Sequence, residues 1–327
     1  MPRVAVTRRI PEAGLQMLRD KAEVRLWESD LPPSRDELLA LLAGCDGALT
    51  LLTDRIDGEL LDRNPSLRVV SNLAVGYDNI DVPAATERGV LICNTPGVLT
   101  NATADHTWAL LLAAARRIPE SIAYVREDKW KTWGPLLLLG QEVTGATLGI
   151  VGMGRIGKEV AKRARGFDMT VLAFDPIEDE AFAREYGVTY VPLDRLLAES
   201  DFVTLHVALT EETRHLIGAE QLRQMKPTAI LVNAARGPVV DTEALVAALE
   251  TGDILGAALD VTDPEPLPAD HPLAWFPNCI VVPHTASATV QTRDRMATLA
   301  AANLLAGLQG ERPPAGVNGD AIMGKCA

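Results

Sequence analysis

Short apolar runs alternate along the chain with segments whose apolar residues recur at helical spacing. Val4–Val6 is a brief apolar run, and Leu15 and Leu18 give Pro11–Asp20 a helical period. Val24–Trp27 then reads as a strand, Arg35–Leu42 as a helix and Gly47–Leu52 as a strand. Gly58–Asp62 reads as a helix, with Leu67–Val70 and Val90–Cys93 as further strands. Such alternation predicts a mostly parallel sheet covered on both faces. Asn94-Thr95-Pro96-Gly97 breaks the pattern with a turn signal. A helix is expected after it, from about Ala102 to Arg117, with Asn101 as its N-cap. A second alternating stretch runs from Leu148 to Val282, and an Ala- and Leu-rich helix over about Gln291–Leu308 precedes a polar tail. The last helix is expected to pack back on the first domain. The reading is α/β, with one domain formed by residues 1–99 and 285–327 and the other by residues 100–284.

The length of 327 residues suits two domains. Lys plus Arg is 31 against 44 Asp plus Glu, a net charge of −13, which argues against non-specific binding to nucleic acid or anionic lipid. A content of 47% hydrophobic and 23% charged residues is that of a folded chain. Cys45, Cys93, Cys279 and Cys326 show no CxxC spacing, so neither a disulfide scaffold nor a metal site is expected, and they read as incidental thiols of a reducing cytosol. The N-terminal MPRVAVTRRIPEAG lacks the apolar core of a signal peptide, and no apolar run approaches the length of a bilayer span. A cytoplasmic protein with no membrane contact is expected.

Thr147–Val151 is a buried-strand pattern that runs into Gly152-Met153-Gly154-Arg155-Ile156-Gly157, and a helical pattern follows from Lys158. In that context a GxGxxG has a physical reading. Gly152 permits the turn, Gly154 lets a pyrophosphate approach the backbone, and Gly157 lets helix and strand pack closely. The helix N-terminus presents free N–H groups to the phosphates. The next strand, Thr170–Phe174, ends at Asp175, 18 residues beyond Gly157, near the spacing of an acid that binds the adenosine ribose. Glu178, Asp179 and Glu180 follow. A like-charge contact at ~5 Å and an effective dielectric of ~20 costs roughly 3 kcal/mol, less when screened. The expected cofactor is therefore NAD rather than NADP.

A carbonyl that receives hydride also needs a proton. Of the five histidines, His106, His206, His215 and His271 lie in a helical pattern, at a strand end, in a polar stretch and in a loop. His284 follows the apolar run Cys279–Val282 and Pro283, at the carboxyl end of an expected buried strand, where open parallel sheets bind ligands. Arg236 follows the strand Ala229–Asn233, and its planar fork suits a carboxylate. Glu265 follows the strand Ala257–Leu259. Each taken singly also reads as an ordinary structural residue. Three strand-end residues of the types this reaction needs are harder to dismiss together.

With those residues in place, the chain resembles the D-isomer-specific 2-hydroxyacid dehydrogenases, most of all the glyoxylate/hydroxypyruvate reductases. The matching segments are Ala74–Asp81, Asn94–Thr100, the glycine loop, Asn233–Asp241, Leu259–Pro268 and Pro283–Thr289. Arg236, Glu265 and His284 fall on the family's catalytic triplet, at separations of 29 and 19 residues. The resemblance implies two doubly wound parallel-sheet domains, a flavodoxin-like substrate domain and a Rossmann cofactor domain, with a cleft between them. It implies reduction of glyoxylate to glycolate and of hydroxypyruvate to D-glycerate by NADH, with His284 giving the proton and Glu265 favouring its imidazolium form. Amides at Val75 and Gly76 would hold the substrate carboxylate, with Leu51, Ser287 and the partner subunit's Trp133 also lining the substrate. The cofactor would meet Thr103, Gly152, Gly154, Arg155, Ile156, Gly157, Asp175, Ala208, Thr213, Ala234, Asp260 and Ala286. Trp130 and Trp133 match an arm that reaches the neighbouring subunit, so a homodimer is implied. Thr285-Ala286 departs from the family's usual Ile-Gly, and Ala208 replaces a common Pro. The family also contains enzymes of other D-2-hydroxyacid specificity, and corepressor-like scaffolds that sense NAD.

Overall fold

The computed structural model describes residues 1–324. Cys326 lies outside them. In chain order the first unit begins with β1 (Arg3–Val6), α1 (Glu12–Arg19), β2 (Glu23–Leu26), α2 (Arg35–Leu42) and β3 (Gly47–Thr50). It continues with α3 (Gly58–Arg63), β4 (Val69–Asn72), α4 (Val82–Glu87) and β5 (Leu91–Cys93). Then come α5 (Thr100–Ala115), α6 (Ile118–Arg126), β6 (Thr147–Val151), α7 (Arg155–Ala164), β7 (Thr170–Phe174), α8 (Glu180–Tyr186) and β8 (Val188–Tyr190). The same stretch carries α9 (Leu193–Glu199), β9 (Phe202–Leu205), α10 (Ala219–Gln224), β10 (Ile230–Asn233), α11 (Thr242–Thr251), β11 (Gly256–Leu259) and β12 (Cys279–Val281). The long α12 (Val290–Leu308) and the short α13 (Gly319–Met323) follow.

The chain divides into two compact units, Met1–Leu99 with Ala288 onward, and Thr100–Ser287. The return crossing thus falls after Ser287, not after His284 as the sequence suggests. The backbone N–H groups of Thr285 and Ala286 donate to Asp260, at the end of β11, at 2.7 and 3.1 Å, which keeps that segment with the second unit.

The first unit is a five-stranded sheet in the order β2-β1-β3-β4-β5, every pair parallel. This is a doubly wound order whose direction reverses between β1 and β3. The interior strands have no polar face because helices cover both sides. Ala5, Ala48, Val70 and Ile92 pack with Leu38, Leu42 and Leu60 on one side. On the other lie α1 and α12. A Cβ on Gly14 of α1 would stand 2.6 Å from the Ala297 carbonyl oxygen, so only glycine lets these helices approach this closely. Ser71 Oγ donates to the Ala300 carbonyl at 2.9 Å, tying β4 to α12.

The second unit is a seven-stranded parallel sheet, β12-β11-β10-β9-β6-β7-β8. Its order reverses between β6 and β9, the doubly wound arrangement of dinucleotide-binding folds. Alternate residues of each strand face opposite layers. Leu148, Ile150, Val171 and Val232 join Trp108 and Val160, whereas Val151, Leu172, Leu205 and Leu231 join Leu196, Leu222 and Leu245.

Several element ends differ from the sequence reading. Helix α5 starts at Thr100, so Asn101 lies inside its first turn, and its Oδ1 accepts from Arg163 Nη2 at 3.3 Å instead of capping the helix. Strand β3 stops at Thr50, leaving Leu51 in the loop. Strand β4 begins at Val69 because the Leu67 N–H closes a turn onto the Asn64 carbonyl. The thiols of Cys93 and Cys279 are pushed up to about 12 by burial, which keeps both neutral and unreactive. No helix among the described residues is long and apolar enough to cross a membrane.

The packing of α12 sets a stability expectation. Leu304 is fully buried against Gly47. Leu304→Ala should cost the first unit about 2–5 kcal/mol, read as a lower urea midpoint for that unit's transition, because the rigid sheet cannot collapse into the void.

Candidate active site

The glycine turn, Asp175, Arg236, Asp260 and His284 of the second unit all follow the carboxyl end of a parallel strand. The glycine turn follows β6. Gly152 has φ 98°, and a Cβ there would stand 2.7 Å from the His206 carbonyl carbon. A Cβ on Gly157 would stand 2.1 Å from the Gly152 oxygen. Gly154, the N-cap of α7, faces open space, and α7 begins at Arg155, inside the motif. The turn therefore presents the N-terminus of α7 with no side chain in the way, which fits a pyrophosphate. Asp175, at the end of β7, accepts the N–H of Met153 at 2.7 Å and of Ile177 at 2.9 Å, so its carboxylate is fixed beside the turn. Asp179 is engaged otherwise. It caps α8 and takes Lys158 Nζ at 2.5 Å, so little of the acidic run's repulsion comes from it. Thr213 Oγ1 donates to the Ala208 carbonyl at 2.6 Å, holding those two sequence-identified residues in one turn beyond β9. Thr103 is buried on α5.

Arg236 follows β10 through a turn built by Asn233. The Asn233 amide donates to the Arg236 carbonyl at 2.9 Å, and its oxygen accepts the Ala235 N–H at 3.0 Å. Ala234 is thereby placed at the strand end. The Arg236 Nη1 donates to the Ala235 carbonyl at 2.9 Å.

Asp260 ends β11 with 1% exposure. Besides the Thr285 and Ala286 amides, it has His106 Nε2 3.1 Å from its Oδ1. Burial pushes the Asp260 carboxyl up, but His106, the Thr285 amide and the charge of His284 outweigh that and hold it below the usual carboxylate range. The His284 N–H donates to the Asp260 carbonyl at 2.9 Å. His284 has φ 52°, a left-handed conformation that costs a non-glycine residue energy and is kept by these surrounding bonds. Its Nδ1 lies 2.7 Å from Glu265 Oε1. Its Nε2 has no protein partner among the described residues. One ring nitrogen is thus anchored and the other left for a ligand.

The remaining histidines do other work. His206 lies next to the glycine turn, but burial drives it down to about 3 and its ring nitrogens have no partner among the described residues, so it is neutral near pH 7. His271 caps a short helical turn by accepting the Leu273 N–H. His215 Nδ1 stands 4.0 Å from Asp241. Asn233 and His106 were not legible as site residues. Asn233 ends an apolar strand before a turn, and His106 follows Thr103 by nearly one helical turn, but neither signal is specific.

Leu51, Val75 and Gly76 belong to the first unit, where they too follow strand ends, β3 and β4. Ser287 is buried at the end of the second unit. Trp133 is 79% exposed and Trp130 60%, on a segment with the exposed apolar residues Ile122, Val125, Leu136 and Leu139. Among the described residues no cluster of His, Cys, Asp and Glu could hold a metal ion.

Comparison with known proteins gives consistent answers. Residues 108–286 match the model of the D-isomer specific 2-hydroxyacid dehydrogenase, NAD binding domain. The chain is 55% identical over 322 residues to a glyoxylate reductase of Korarchaeum cryptofilum, covering 98% of this chain and 97% of that protein. The crystal structure of the TT0316 protein from Thermus thermophilus superposes with a TM-score of 0.91 at 49% identity, over 96% of this chain and 99% of that one. An NADPH-dependent glyoxylate/hydroxypyruvate reductase of Sinorhizobium meliloti, solved with NADP and malonate, superposes with a TM-score of 0.86 at 32% identity, over 100% and 99% of the two chains.

The Asp260 geometry predicts a pH-dependent stability. Its folded-state carboxyl sits below its unfolded value, so its contribution is complete above about pH 4 and is lost as pH falls through the lower folded value. Asp260→Asn should destabilise the second unit by about 1–3 kcal/mol at pH 7. The gap to the unmodified protein in thermal melts should narrow as pH falls below about 4.

Proposed function

The chain belongs to the D-isomer-specific 2-hydroxyacid dehydrogenase family, and from that premise we propose that it reduces glyoxylate to glycolate and hydroxypyruvate to D-glycerate with NADH. The observation that carries this reading is the anchored imidazole, with His284 Nδ1 bonded to Glu265 and Nε2 without a partner among the described residues. A bound reduced nicotinamide would supply hydride to the substrate's carbonyl carbon. His284 Nε2 gives the proton to the carbonyl oxygen. Glu265, at 2.7 Å from Nδ1, orients the ring and leaves Nε2 facing the substrate. Arg236 takes the substrate carboxylate on its fork and polarises the carbonyl. The N–H groups of Val75 and Gly76 are assigned to the same carboxylate, and Leu51, Ser287 and Trp133 of the partner subunit to the rest of the substrate.

Gly152, Gly154, Arg155, Ile156 and Gly157 would hold the pyrophosphate, with Asp175 on the adenosine ribose and Ala208 and Thr213 beside it. Thr103, Ala234, Asp260 and Ala286 would meet the nicotinamide end. A carboxylate fixed at Asp175 accepts ribose hydroxyls and repels a 2′-phosphate. The apolar arm around Trp130 and Trp133 is assigned to a homodimer contact, and the protein to the cytoplasm.

These assignments separate kinetically. His284→Ala should cut kcat by roughly a hundredfold to ten-thousandfold while NADH still binds. Arg236→Ala should raise KM and lower kcat together. Glu265→Gln keeps a hydrogen-bonding partner for Nδ1 but not the charge, so kcat should fall while NADH still binds. Near-normal turnover in His284→Ala would overturn the mechanism and favour an NAD-sensing scaffold.

Cofactor choice gives a further test. kcat/KM should favour NADH over NADPH by roughly ten- to a hundredfold, from one like-charge contact weakened by solvent. Asp175→Ala with a neighbouring arginine should move the preference towards NADPH. Equal values for the unmodified protein would refute the role given to Asp175.

A further inference from the structure

Three consecutive carbonyls in the loop after β4 are each held by a donor. The Thr95 N–H donates to the Ala74 carbonyl at 2.8 Å, Asn94 Nδ2 to the Val75 carbonyl at 2.7 Å, and Asn72 Nδ2 to the Gly76 carbonyl at 3.1 Å. Among the described residues, no acceptor takes the N–H of Val75 or Gly76. The loop therefore has its oxygens satisfied and two of its amides open. A trans peptide points its C=O and N–H in opposite directions. Pinning the Val75 carbonyl onto Asn94 thus turns the Gly76 N–H away from Asn94.

Asn94 is itself firmly held. It is 9% exposed, its carbonyl accepts Asn303 Nδ2 at 2.9 Å, and its N–H donates to the Ala315 carbonyl at 3.3 Å. Asn303 is fully buried on α12, and its oxygen accepts the Ala315 N–H at 2.9 Å. The orientation of one peptide plane is thus referred back through two carboxamides to the most buried helix of the unit. By contrast, the Ala74 carbonyl is held by main chain and needs no particular side chain. Of the two carboxamide donors, Asn94 makes the shorter bond, and it acts on the peptide that carries the Gly76 N–H.

We propose that Asn94 is a positioning residue for substrate binding, which through the Val75 carbonyl aims the Gly76 N–H at the substrate carboxylate. This rests on the assignment of Val75 and Gly76 to that carboxylate. A mispointed amide weakens the hold on the carboxylate equally before and during hydride transfer. The loss should therefore appear in KM, with kcat spared.

The test is steady-state kinetics with glyoxylate and NADH on Asn94→Ala and Asn94→Asp, with oxalate as a non-reacting competitor and thermal melts alongside. Asn94→Asp keeps the shape but has no donor. Both variants should raise KM for glyoxylate and Ki for oxalate by roughly five- to tenfold, the worth of one hydrogen bond, with kcat and KM for NADH within about twofold of the unmodified protein. If Asn94→Ala melts too early to assay, Asn94→Asp decides. Unchanged KM and Ki, or a parallel loss in kcat and in both KM values, would overturn the proposal, the second result marking a structural role alone. Gly76→Pro removes the amide hydrogen itself and separates the two levels. A rise in glyoxylate KM there with none in the Asn94 variants would defeat the role of Asn94 only. No rise in Gly76→Pro would defeat the carboxylate assignment beneath it.

Discussion

The buried carboxylate of Asp260 is the constraint on which the second unit's chemistry depends. It sits at the end of β11 and gathers the main-chain amides of Thr285 and Ala286, with His106 beside it. A carboxylate removed from water is stable only when such partners replace its hydration. Because two of them lie just past His284, satisfying Asp260 also fixes where the chain turns after β12. The His284 N–H bond to the Asp260 carbonyl completes the arrangement. A histidine in the left-handed region is thereby held with one nitrogen on Glu265 and the other unpartnered among the described residues.

The same logic recurs at the neighbouring strand ends. Parallel strands all finish on one edge of a sheet, and the loops that leave them carry polar groups without ladder partners. In the second unit those groups are a glycine turn, Asp175, Arg236 and His284. Bonds from the same or a neighbouring strand-end loop place them: Asn233 holds the Arg236 turn from within its own loop, the Met153 N–H reaches Asp175 from the glycine turn, and Glu265 reaches His284 from the loop after β11. In the first unit the strand-end loops hold Leu51 and the Val75–Gly76 segment, braced by carboxamides. Precision in both units comes from buried polar bonds under the loops, with the apolar layers serving as the rigid base.

The charged groups divide into those that hold structure and those left for ligands. Asp179 is paired with Lys158 and caps α8, while Asp175 of the same acidic stretch is fixed by amides at the edge of the sheet. Among the histidines, burial has neutralised His206 despite its place beside the glycine turn. Neither distinction follows from residue type. Both follow from which side chains the fold brings within bonding distance.

The sequence by itself determined the two parallel-sheet units, since apolar periodicity is a local property and each strand-to-helix alternation is written in consecutive residues. It also determined the glycine turn and marked Arg236, Glu265 and His284, because each lies in the loop that leaves an apolar strand. The tertiary structure alone decided the rest. Asn101 is drawn into α5 rather than capping it, because Arg163 on α7 offers it a partner. The return to the first unit waits until after Ser287, because Asp260, more than twenty residues upstream, claims the Thr285 and Ala286 amides. Asn94 and Asn233 look like ordinary strand-end residues until the carbonyls they hold are seen. A hydrogen bond between distant segments leaves no periodic trace in the chain, and its existence depends on which loops the fold places side by side.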